Sequence, residues 1–64
     1  MDEKRLKDLK QGDLFCLKNY DNPTDEQIYI RGYYERFYKK YECYKYSDIN
    51  VERFFDGNKI VYVL

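Results

Sequence analysis

Histidine and tryptophan are both missing from these 64 residues. Without histidine the chain lacks the commonest general base and metal ligand. Without tryptophan, tyrosine becomes the native optical probe. Glycine occurs three times and the positions are scattered, so no glycine-rich phosphate loop exists. The single proline sits in Asn22-Pro23-Thr24, which is not a glycosylation acceptor because proline blocks it. Cysteine is limited to Cys16 and Cys43, with 26 residues between them, whereas a zinc knuckle needs close pairs. Long apolar runs are absent too. Nothing approaches the ~20 residues of a membrane span, and the charged start MDEKRLKDLK does not read as a signal peptide. The expectation is a cytoplasmic chain with no membrane contact. In that compartment both cysteines are reduced, buried thiols acting as small hydrophobes, with a single disulfide as the alternative.

An excess of one charge is also lacking. Twelve bases balance twelve acids, unlike a dedicated duplex-DNA binder, whose pI is basic. Asp48, Asn50 and Glu52 alternate like the start of a calcium loop. Its sixth position is Arg53 where glycine is required, and its twelfth is Lys59 where glutamate is required, so the match fails. No enzyme activity, cofactor or metal is expected.

What the chain does have is aromatic side chains, nine Tyr and four Phe. A domain this short buries only ~60% of the surface its unfolded chain exposes. Its stability must come from a few large side chains, and tyrosine combines an apolar body with a polar tip. Charged residues make up 38% of the chain, but opposite signs are interspersed, so an ordered globular domain is predicted rather than disorder.

Leu14–Leu17 is a short apolar run suited to a strand buried on both faces. Residues 19–25, NYDNPTD, form a loop. Thr24 and Gln27 have capping-box spacing, but IYI and YY follow, so a helix is rejected there. Gln27–Glu35 reads as a long strand with a bulge at Gly32, Arg36–Lys40 as a turn, and Tyr41–Tyr46 as the returning strand. Val51–Phe55 and Ile60–Leu64 are two further strands, joined by a hairpin signal at Asp56-Gly57-Asn58. Short strands with closely spaced turns predict an all-β domain over residues 1–64, a single small SH3-like barrel of about five strands. An OB-like barrel or a bent antiparallel sheet is the alternative. Residues 1–10 are read as a loosely packed N-terminal arm. The predicted core is Leu14, Cys16, Ile28, Ile30, Tyr41, Cys43, Phe54, Ile60, Val61 and Val63, with Phe54/Phe55 and Ile60/Val61 ambiguous in direction.

The stretches LKDLKQGDLF, YIRGYY, KKYECYKYSDIN and RFFDGNKIVYV together resemble a group of small uncharacterised bacterial single-domain proteins of Bacteroides-type genomes. The resemblance covers most of the chain and implies an SH3-like barrel. It carries no active-site residues.

The segment RGYYERFYKKYECYKY, residues 31–46, holds six tyrosines and five bases against two acids. Strand alternation turns Ile28 and Ile30 inward and leaves Tyr29, Arg31 and Tyr33 outward. On the returning strand Tyr41 and Cys43 turn inward, and Tyr44 and Tyr46 outward. The candidate binding face is therefore Tyr29, Arg31, Tyr33, Tyr44 and Tyr46, rimmed by Arg36, Lys39, Lys40 and Lys45. The plainest reading is cross-strand tyrosine pairing that stabilises the sheet. The functional reading is a non-catalytic binding or adaptor module, with a protein partner preferred over single-stranded nucleic acid recognised by base stacking. A structural protein with no dedicated face is the third reading. A monomer or weak homodimer is expected.

Overall fold

The computed structural model describes residues 1–64 as one six-stranded antiparallel sheet. Its strands are β1 (Asp2–Arg5), β2 (Leu14–Cys16), β3 (Ile28–Glu35), β4 (Lys40–Lys45), β5 (Glu52–Phe55) and β6 (Ile60–Val63), in the spatial order β1-β6-β2-β3-β4-β5. There is no α-helix. Two 3₁₀ turns, Leu6–Asp8 and Asp25–Gln27, complete the structure.

The sixth strand corrects the expected five. β1 reads Asp-Glu-Lys-Arg, all exposed, and pairs with β6 from Asp2 opposite Val63 to Arg5 opposite Ile60. A wholly charged edge strand resists pairing with other chains, but it has no apolar alternation to reveal it. The segment after it is not a loose arm either. Leu6 is fully buried and Leu9 nearly so, and both belong to the main core with Phe15, Cys43 and Val61. Burying a large apolar side chain contributes about 1.5–3 kcal/mol, so this segment is structural.

The turn at Asp56–Lys59 forms as expected, with the Lys59 N–H donating to the Asp56 carbonyl at 3.0 Å and the Asn58 N–H to Asp56 Oδ1 at 2.8 Å. The strands it joins do not pair with each other, which corrects the hairpin reading. β6 is already paired on both edges, by β1 and β2. This arrangement forces curvature. In a flat sheet β5 and β6 would stand four strand spacings apart, about 19 Å, and five Cα steps span about 17 Å even when fully extended. The sheet must therefore roll until its two sides approach. The first 3₁₀ turn bridges the seam, with the Leu6 N–H bonding the Lys59 carbonyl and the Lys7 N–H bonding the Gly57 carbonyl, both at 2.9 Å.

The concave face carries Phe15, Tyr29, Arg31, Tyr41, Cys43, Phe55, Val61 and Val63, by the register of β2, β3, β4, β5 and β6. Phe15 stacks on Tyr29 at 5.8 Å, and Phe55 meets both rings edge-on at 6.4 and 5.6 Å. Inward parity on β4 is as predicted, and that on β3 is inverted. Tyr29 is a half-buried core ring, while Ile30 lies half-buried on the convex face, opposite Leu14 and Tyr44. Cys16 and Ile28 share that convex strip and are buried within it. The central strand has apolar neighbours on both faces, so aliphatic residues do not mark a single inside. Phe55 takes the place expected for Phe54, and Val61 is buried whereas Ile60 is exposed.

Thr24–Gln27 is not plain loop. The Thr24 N–H donates to Gln27 Oε1 at 3.0 Å and the Gln27 N–H to the Thr24 carbonyl at 2.9 Å, closing one 3₁₀ turn before β3. Asp48 and Asn50 sit in the connection between β4 and β5, where Asp48 Oδ1 accepts the Asn50 N–H at 3.0 Å.

Candidate functional site

The β3–β4 hairpin starts from a glycine. The register shifts between Arg31 and Tyr34, where Arg31 faces Cys43 and Tyr34 faces Tyr41, so Gly32 and Tyr33 oppose Glu42 alone. A Cβ at position 32 would lie well inside contact distance of the Glu42 carbonyl oxygen and 3.0 Å from Tyr44 Cε2. Only glycine fits that approach, and the bulge it permits returns Tyr34 to the concave side.

The predicted face therefore splits. Tyr29 and Arg31 point to the concave side and leave it. Arg31 is half-buried, with its guanidinium carbon 4.2 Å from the Tyr41 ring centroid and Nη1 donating to the Gly32 carbonyl at 3.1 Å. Its buried Nε finds no partner. Tyr33 is exposed, and Tyr44 is half-buried on the convex face. The Tyr44 hydroxyl donates to a Glu42 carboxylate oxygen, and that bond, with smaller contributions from burial and nearby acids, pushes the phenol up to about 12. Tyr46 lies exposed just past β4. Lys45 turns away to pair with Glu26 at 3.4 Å, the one ion pair in the molecule.

Arg36, Lys39 and Lys40 stand together at the hairpin tip, and the aromatic side chains beside them went unassigned from sequence. Phe37 is 88% exposed and Tyr38 62%. Their rings meet edge-to-face at 5.8 Å, and Tyr38 leans on Phe54 of β5 at 5.3 Å and 60°. Phe37 and Tyr38 lie within the predicted turn, in RFYKK, where ring exposure follows from there being nothing to pack beneath a hairpin end. Lys39 adopts a left-handed backbone, φ 55°, which reverses the chain. Lys40, Tyr38 and Phe54 bound a hollow of about 350 Å³. Lys39 looks to the other side, into a cleft of about 300 Å³ shared with Lys7, Tyr34, Tyr41 and the Asp56–Asn58 turn. Both acids of the hairpin are occupied. Glu35 Oε1 accepts the Phe37 N–H at 2.9 Å, and Glu42 holds Tyr44. None of the three tip cations forms an ion pair.

Neither thiol is activated. Cys16 and Cys43 are free and buried on opposite faces of the sheet. Burial raises both thiols, Cys43 to about 11, the reverse of what an activated nucleophile needs. No three His, Cys, Asp or Glu side chains converge as a metal site, and no helix is long and apolar enough to cross a membrane. No protein-family model, curated protein or solved structure matches the chain.

Proposed function

We propose that the chain is a non-catalytic binding module, an adaptor whose contact surface is the β3–β4 hairpin tip with Phe54 beside it. The observation that carries this reading is the exposure of Phe37 and Tyr38 among three unpaired cations. Each ring left in water forgoes about 1.5–3 kcal/mol of burial, in a domain that has little apolar surface to spare. The inert thiols and the missing histidine support a non-catalytic role. The curled sheet is read as an SH3-like barrel left open at one seam. The order β6-β2-β3-β4-β5 is the meander such a barrel needs, and β1 adds an outer strand.

The test is site-specific photocrosslinking in the cells that make the protein. A benzoylphenylalanine at position 37 should give a discrete adduct, and one at exposed position 49, in the β4–β5 turn, should give none. Absence of any adduct from position 37, or equal labelling from both positions, refutes the reading.

A further inference from the structure

We infer that the hairpin tip takes single-stranded nucleic acid, with bases stacked on Phe37, Tyr38 and Phe54 and phosphates held by Arg36, Lys39 and Lys40. The inference rests on the tip being the contact surface and names its partner.

Ring geometry comes first. Phe37 and Tyr38 stand at 86°, Tyr38 and Phe54 at 60°. Each contact covers at most one face of one ring, and with Phe37 and Tyr38 largely exposed the remaining faces stay open to planar groups. Every base has such a face, and stacking on aromatic side chains is how single strands are gripped without sequence readout. A duplex keeps its bases stacked on one another and offers the tip only its backbone. An acidic peptide supplies the charge but few planar groups.

Charge placement is the second argument. Residues 36–40 carry three bases and no acid, and the flanking carboxylates are hydrogen-bonded within the hairpin. The cations lie on both sides of the aromatic ridge. Lys40 borders the hollow with Tyr38 and Phe54, and Lys39 faces the cleft with Lys7. A backbone crossing the tip meets positive charge before and after the rings. The hollow, about 350 Å³, is in the size range of small-ligand sites and has room for one base. Asp56 at the far side of the cleft limits how far the track continues, so the site is short, on the order of three nucleotides for three rings.

Amide chemical shifts decide the matter, followed during titration with mixed-sequence single-stranded RNA and DNA of about ten nucleotides at ~50 mM salt. The same sequence as a duplex and a Glu/Asp-rich peptide serve as comparisons. Single strands should shift residues 36–40 and Phe54, and bind more tightly than the duplex. With three phosphates held, affinity should fall about four-fold for each doubling of salt. Phe37→Ala should weaken binding about ten-fold with an unchanged melting temperature, since the ring packs on little. Oligonucleotide shifts elsewhere on the molecule, or affinity unchanged in a Phe37→Ala/Tyr38→Ala double variant, overturn the inference. Shifts at 36–40 with the acidic peptide alone overturn the nucleic acid but keep the contact surface. Silence at 36–40 with every probe, together with no adduct from position 37, overturns both.

Discussion

Cys43 illustrates how one side chain can tie stability to pH. Its thiol is fully buried opposite Arg31, and desolvation raises it from 9.0 to about 11, against smaller lowering effects from the Gly32 backbone and Arg31. Well below pH 9 the thiol is neutral in both folded and unfolded chains and stability does not depend on it. Between pH 9 and 11 the unfolded chain releases the proton while the folded one retains it, so stability falls as pH rises. The full difference is about 2–3 kcal/mol. Urea unfolding should therefore give a flat free energy to about pH 8.5 and a decline above it. Cys43→Ala should be less stable at neutral pH, from its cavity, and should show a shallower decline. An equally steep decline in the variant would assign the effect to the other raised groups, the Cys16 thiol and the Tyr44 phenol.

At the level of the strand and turn, Gly32 sets the register of the hairpin and so places everything on its tip. Gly32→Ala drives a methyl group against the Glu42 carbonyl, a backbone atom that cannot yield without parting β3 from β4. The expected cost is about 1–3 kcal/mol, a drop in melting temperature of order 10 °C for a domain of this size. Differential scanning calorimetry reads it directly, and an unchanged transition would mean the bulge adapts. That glycine could be read from sequence, because a glycine inside a strand pattern has few other uses. So could β2, β4 and the Asp56 turn, which carry local signals. β1 could not, since four charged residues have no period and are recruited only because β6 offers a free edge. The orientation of β3 was hidden for a different reason. Ile28, Tyr29 and Ile30 are all apolar enough to bury, and Phe15 across the ladder, 14 residues earlier in the chain, settles which one faces the core. Of the candidate tip, the run of cations at 36, 39 and 40 can be read from sequence, and the exposure of the rings between them cannot. Whether Phe37 or Phe55 becomes a core ring depends on where the sheet curls.

The molecule as a whole has one core drawn from both ends of the chain. Leu6 and Leu9 pack with Phe15, Cys43 and Val61, and the first 3₁₀ turn bridges the seam between the two sides of the sheet. Proteins of this length have about 3–10 kcal/mol of stability, and losing one buried leucine costs about 2–5. Deleting residues 1–9 should therefore abolish the cooperative urea transition and collapse amide dispersion. A sharp transition surviving in the shortened protein would refute this packing role. The pairing of β1 with β6 also bears on how the domain can be used. Asp2 and Val63 stand opposite each other, within about 5 Å by strand spacing, so the chain enters β1 and leaves β6 at the same spot. Such a unit can be spliced into a surface loop of a host protein without stretching either junction, carrying its hairpin tip intact to the far side of the graft.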